Sequence, residues 1–143
     1  MVNIRILGAD DIATLDNVAP NVFDGAVRPE LAAEFLADPR HHLAVAVTDA
    51  GQVIGMASAV HYVHPDKPPQ LFINEVGVSP VFHRQGIGKA LLAALLARAR
   101  ELGCSEAWVA TEPDNSAAQA LYTAAGGVKD DVPFVMFTFP TAR

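Results

Sequence analysis

Two glycines set between two cations, in Arg84-Gln85-Gly86-Ile87-Gly88-Lys89, form the stretch of this chain whose residue types most directly suggest chemistry. Apolar segments precede it, Leu71-Phe72-Ile73 and Val76-Gly77-Val78, and Leu91, Leu92, Leu95 and Leu96 follow at helical spacing. The glycines therefore fall between a buried strand and an amphipathic helix. The first N–H groups of a helix lack intrahelical partners and carry the positive end of its dipole, which suits a phosphate. Gly86 and Gly88 let a backbone approach such an anion closely, and Arg84 and Lys89 would flank it. The same spacing also serves as a plain strand-to-helix turn. Neither named nucleotide fingerprint fits: there is no Gly-x-x-x-x-Gly-Lys-Ser/Thr, and the third glycine and later acidic residue of a dinucleotide site are missing. Glu75 is the second chemical candidate, as the only ionisable side chain in residues 71–78. A carboxylate among apolar neighbours is either exposed at a site or paired, so it reads as a general base or as an ion-paired or solvated edge residue.

The elements that must position these groups can be read around them. Residues 4–6 form an opening edge strand, and residues 9–15 begin a helix with Asp10 and Asp11 in its first turn. Residues 29–36 form a second helix bounded by Pro29 and Pro39. Residues 42–47 and 53–60 flank Asp49-Ala50-Gly51-Gln52 as an antiparallel hairpin, and residues 71–78, too apolar to be half exposed, form a central strand. The glycine-loop helix stops near Gly103, residues 106–111 form a strand parallel to its predecessor, and residues 117–125 form a helix closed by Gly126-Gly127. Residues 132–139 read as a last strand. The expected fold is α/β (α+β), a mixed and mostly antiparallel sheet with helices on both faces.

Composition narrows the classes further. With 143 residues, 51% of them hydrophobic and 18% charged, residues 1–143 fit one domain with a real core. A net charge of -6 argues against nucleic acid; it suits a cationic substrate and equally ordinary solubility. One cysteine, Cys104, rules out an internal disulfide and reads as a buried structural thiol. No apolar run reaches the roughly 20 residues of a membrane span and the N-terminus lacks an export pattern, so cytoplasm is expected. His61 and His64 have no companion ligands at metal spacing, so no metal is expected.

Two motifs in order, Val78-x-Pro80-x-Phe82 leading into Gln85-Gly86-Ile87-Gly88-Lys89-Ala90-Leu91-Leu92, then Asn115-Ser116-Ala117-Ala118-Gln119-Ala120-Leu121-Tyr122-Thr123-Ala124-Ala125-Gly126, resemble the GNAT acetyltransferase superfamily. The resemblance covers essentially the whole chain. Through His83-Arg84-Gln85-Gly86-Ile87 and Ala120-Leu121-Tyr122-Thr123, the finer likeness is to small aminoglycoside 3-N-acetyltransferases. Two positions depart from the family pattern: His83 stands where Arg or Gln is usual, and Gly127 where an aromatic residue usually packs.

This resemblance implies an acetyl-CoA-dependent transfer to a primary amine, with acetyl-CoA as cosubstrate and no metal. The loop His83, Arg84, Gln85, Gly86, Ile87, Gly88 and Lys89 would hold the cofactor phosphates, and the backbone at Val76 and Val78 its pantetheine arm. Tyr122 would protonate the leaving thiolate, or else be a core tyrosine; Asn115 is an N-cap by type and by resemblance a cofactor contact. Asp24, His61, Tyr62 and Glu75, with Glu30 and Asp66, are expected near the acceptor. The acceptor is expected to be a cationic small molecule, first an aminoglycoside; a protein or peptide amine and a polyamine are alternatives, as is a non-catalytic acyl-CoA sensor. Residues 134–139 could meet a second copy in a homodimer or be buried within the domain.

Overall fold

The computed structural model describes residues 1–142. Five strands form one sheet in the order β1 (Val2–Ile6), β2 (His41–Thr48), β3 (Val53–Tyr62), β4 (Gln70–Val78) and β5 (Ala107–Trp108). The first four pair antiparallel and β5 runs parallel to β4. The β2–β3 turn closes where the sequence placed it: the Thr48 N–H donates to the Gln52 carbonyl at 2.9 Å, and Gly51 takes the left-handed φ of +85°. β4 is thus an interior strand, with β3 on one side and β5 on the other.

The sheet is covered on both faces. Helix α2 (Ile87–Glu101) buries Ile87, Leu91, Leu92, Leu95 and Ala99, and a side chain at Gly55 of β3 would meet Ile87 and Leu91 at 3.2 Å. Fully burying each large aliphatic side chain is worth roughly 1.5–3 kcal/mol, so these contacts outweigh the cost of about 1 kcal/mol for Gly88 in the first turn. The other face carries a 3₁₀ helix (Ala9–Asp16), the loop after it, and α1 (Pro29–Ala37), whose Phe35 stacks on His41 at 4.9 Å between ring centroids. Asp11 accepts the Gly8 N–H at 2.7 Å, which starts the helix expected from residue 9, here of the 3₁₀ kind.

α2 and α3 (Ser116–Ala124) end in the same way. Gly103 and Gly126 have φ of +75° and +99°; Cys104 donates back to the Ala99 carbonyl and Gly127 to the Tyr122 carbonyl, each at 2.9 Å. Cys104 is half-buried, and burial pushes its thiol pKa up.

The expected last strand is absent. Residues 128–139 form no strand or helix, and Phe134, Val135, Met136, Phe137 and Phe139 are exposed. β5 is only two residues long, so its outer edge offers a further strand no ladder to join. No helix among the described residues is long and apolar enough to cross a membrane.

One polar pair lies within the core. His42 of β2 is 3% exposed and shares a 2.8 Å hydrogen bond between its Nε2 and Nδ1 of His61 on β3. Burial first, then the nearby His61, Arg98 and His41, lowers the His42 pKa from 6.5 to about 4, against a weaker opposing pull from Asp38. A histidine whose folded pKa is depressed contributes stability that is complete above its unfolded value and is lost as pH falls toward the folded one. The protein is expected to lose about 2 kcal/mol between pH 7 and pH 5 through this residue. Chemical denaturation at both pH values measures it; a drop of the same size in His42→Leu would assign the loss elsewhere.

Candidate active site

Strand β4 is paired with β3 along most of its length but with β5 only at Leu71 and Phe72. Beyond Phe72 the two parallel strands part. A bulge at Asn74 then changes which residues aim their backbone at β3: Ala59 pairs with Ile73, but Ser58 pairs with Glu75. Ser79 donates to the Ile54 carbonyl at 2.8 Å, so alternation along the strand directs the backbone of Glu75 and Gly77 at β3. The backbone groups of Val76 and Val78 face the opening that β5 has left. The bulge thus offers the Val76 N–H and carbonyl and the Val78 N–H to an extended ligand arm, while the Val78 carbonyl is taken by the His83 ring.

The glycine loop lies at the end of that opening, through the short 3₁₀ turn Pro80–Phe82. Arg84 and Gly86 have φ of +63° and +77°, and the first bond of α2 runs from the Ala90 N–H to the Gly86 carbonyl at 3.0 Å. Among the described residues no side chain caps this helix, so the N–H groups of Ile87, Gly88 and Lys89 remain available to an anion. Arg84, Gln85 and Lys89 are exposed around them, with open space where a Gly86 side chain would stand. These features fit a bound phosphate.

Two loop residues have other partners. The His83 ring donates from Nε2 to the Val78 carbonyl at 2.8 Å, so its side chain ties the loop to the strand. Gly88 also packs closely: a side chain there would meet Leu121 of α3 at 3.2 Å, tighter than an ordinary contact. The glycine that had been read as an opening for an anion is also the contact that seats α3 on α2.

α3 carries the two remaining cofactor candidates. Asn115 is its N-cap, with Oδ1 accepting the Ala118 N–H at 3.0 Å. Tyr122 is half-buried against the core, and burial raises its pKa, so its hydroxyl keeps its proton at neutral pH. Gly127 lies so close to the Tyr122 carbonyl that a side chain would come within 2.9 Å of it. The usual aromatic residue is therefore excluded here by the helix end itself.

Glu75 is exposed and lies opposite Ser58, on the sheet face turned away from α2. The same face carries a cavity of about 420 Å³ formed by the loop between the 3₁₀ helix and α1, with Asp16, Phe23, Asp24 and Val27 in its wall. Tyr62 shares that face at the far end of β3 and is 44% exposed. His61 does not: it alternates to the α2 face and is engaged by His42, which corrects its expected place at the acceptor. Glu30 is paired with Arg28 at 3.1 Å and does not line the cavity, and Asp66 is exposed on its loop. Among the described residues no cluster of three metal-ligating side chains occurs.

The sequence reading missed one contact. The backbone of Val22, in the cavity loop, rests directly on Gly77, where a side chain would overlap the Val22 carbonyl. A glycine interrupting the β-branched run Val76-Gly77-Val78 was the available signal.

Residues 10–126 match the Acetyltransferase (GNAT) family. A mycothiol acetyltransferase of Kocuria rhizophila is 37% identical over 91 residues, 62% of this chain and 30% of that protein. An aminoglycoside N(6′)-acetyltransferase type 1 of Salmonella typhimurium is 35% identical over 91 residues, 59% of this chain and 62% of that protein. The chain thus spans less than two thirds of the curated relatives it matches. The aminoglycoside relative is of the N(6′) type, which corrects the finer likeness to the 3-N type. The structure of AAC(6′)-Iy in complex with the bisubstrate analog CoA-S-monomethyl-acetylneamine shares the fold, with a TM-score of 0.78 at 23% identity over 98% of this chain and 99% of that one.

Proposed function

Because the chain belongs to the acetyltransferase (GNAT) family, we propose that it transfers the acetyl group of acetyl-CoA directly to a primary amine of a small cationic molecule, first an aminoglycoside. The parting of β4 and β5 after Phe72 is the observation that carries this reading. It leaves the Val76 backbone and the Val78 N–H free beside an uncapped helix start, with Glu75 on one side of the strand. The resemblance to an aminoglycoside acetyltransferase and the acidic cavity wall at Asp16 and Asp24 support a cationic acceptor.

The chain's own residues supply each step. The N–H groups of Ile87, Gly88 and Lys89, with Arg84 and the Lys89 side chain, bind the cosubstrate phosphates. A β4 N–H facing the opening donates to the acetyl oxygen as it gains charge. Glu75, directly or through one water, takes a proton from the acceptor ammonium, whose pKa of about 10 keeps it mostly protonated at neutral pH. The free amine forms the C–N bond as the C–S bond breaks, and Tyr122 gives its hydroxyl proton to the departing sulfur. The amine's second proton passes to solvent, and Tyr122 recovers its own from there. Cys104, a lone half-buried thiol, fits work in a reducing cytoplasm.

CoA thiol release over a panel of aminoglycosides, polyamines and peptide amines tests the reading. Release is expected with aminoglycosides. Tyr122→Phe should lower kcat by about 100-fold with little change in acetyl-CoA KM. Glu75→Gln should lower kcat/KM by about 100-fold near neutral pH, the deficit narrowing as pH rises toward the amine pKa and free amine becomes abundant. Acetyl-CoA binding with no release for any amine would favour a sensor instead.

We extend the proposal to a homodimer. Phe134, Phe137 and Phe139 are 65%, 78% and 81% exposed within one short segment that also exposes Val135 and Met136, a larger apolar run than a monomer ordinarily leaves in water. Sedimentation should show a wild-type dimer and a monomer for the double variant Phe137→Asp, Phe139→Asp; a wild-type monomer at all concentrations refutes this part.

A further inference from the structure

The loop that walls the acidic cavity is fastened to the sheet at two places. At its start, the Ala19 N–H donates to the Val53 carbonyl and the Val53 N–H to the Asn17 carbonyl, both at 2.8 Å, so the chain leaves the 3₁₀ helix along the first residue of β3. It then turns at Asn21, whose φ is +66°, and buries Val22, which is 2% exposed. The second fastening is the backbone contact with β4. A side chain at Gly77 would overlap the Val22 carbonyl oxygen and stand 3.2 Å from its carbon. Only a residue with no Cβ lets the loop lie this close.

The place of the contact matters more than its tightness. Gly77 is two residues beyond Glu75, so both face the same side of β4, beneath the loop. Two positions further along that loop is Asp24, in the cavity wall. The height at which Val22 rests on Gly77 therefore sets how far the acidic wall stands from Glu75. A carbon in van der Waals contact with the oxygen needs over 3 Å, so one methyl at position 77 would lift the loop by roughly 1 Å or more.

We propose that Gly77 is a positioning residue for the acceptor: by lacking a side chain it seats the Val22 loop on β4 and fixes the spacing between Glu75 and the acidic cavity that holds the cationic amine. This rests on the acetyl-transfer reading above. Gly77 touches neither substrate and acts only through the loop. A displacement of about 1 Å at a reacting centre can cost up to about 100-fold in rate.

The test is a comparison of steady-state constants for both substrates. In Gly77→Ala, kcat/KM for the aminoglycoside should fall by about 10- to 100-fold while acetyl-CoA affinity, measured by calorimetry, stays within about twofold of wild type. Ala19→Pro removes the N–H that ties the loop to Val53 and leaves β4 untouched; it should shift the acceptor constants in the same direction, and it serves if Gly77→Ala does not fold. General destabilisation would lower the yield of active protein without separating the two substrates. Unchanged acceptor constants in either folded variant, or an equal loss of acetyl-CoA affinity, would overturn the proposal. Wild-type protein that releases no thiol with any amine would overturn the acetyl-transfer reading, and this one with it; wild-type turnover that Gly77→Ala leaves intact would overturn this one alone.

Discussion

A backbone N–H or C=O that leaves a sheet ladder needs another partner, because leaving it buried and unpaired costs about as much as a lost hydrogen bond. β4 reaches that situation after Phe72, where β5 ends its pairing. The bulge at Asn74 then decides which groups are left over, directing those of Val76 and Val78 into the opening and those of Glu75 and Gly77 at β3. The side chains are sorted in the same step: Glu75 and Gly77 fall on the loop face, Val76 and Val78 on the α2 face. One extra residue in a strand separates a backbone surface for an extended ligand from a carboxylate on the opposite, loop-covered face of the sheet.

The far end of the opening depends on how α2 and α3 are seated. The N–H groups of Ile87, Gly88 and Lys89 are useful to an anion only if α2 is held rigidly, and its burial against β1 to β4 holds it. The His83 ring ties the loop before this helix to the Val78 carbonyl of the strand. α3 is held on α2 by Leu121 against Gly88, and it carries Tyr122. The one glycine thus serves an exposed helix start and a helix–helix contact together, and its cost of about 1 kcal/mol in the helix is offset by that packing.

On the opposite face the same kind of contact recurs with a different partner. Gly77 admits a backbone rather than a side chain, and the loop it admits carries the acidic cavity wall. The core between the faces is mainly aliphatic, and one polar exception, the His42–His61 pair, joins one ring nitrogen of each while burial keeps His42 neutral. That pair lies on the α2 face, away from Glu75, and so works as structure rather than as acceptor lining.

Most strands and helices up to Ala124 were legible in the chain because each is specified locally, though the strand expected over residues 106–111 shrinks to Ala107–Trp108. Alternating or continuous apolar runs marked β2 to β4, Gly51 marked the hairpin turn, Leu91, Leu92 and Leu95 marked the buried stripe of α2, and Gly103 and Gly126 its stop and that of α3. The glycine loop, Glu75 and the N-cap Asn115 were legible for the same reason. The sequence could not show that residues 132–139 would go without a strand, since strand formation needs a neighbour and β5 is too short to be one. Nor could it assign His61 to the α2 face beside His42, place Leu121 against Gly88, or bring Val22 onto Gly77. Each of those is a contact between residues far apart in the chain, and local period and residue type carry no information about which distant group arrives. The sequence by itself determined which groups were available for chemistry; tertiary packing decided which of them face one another.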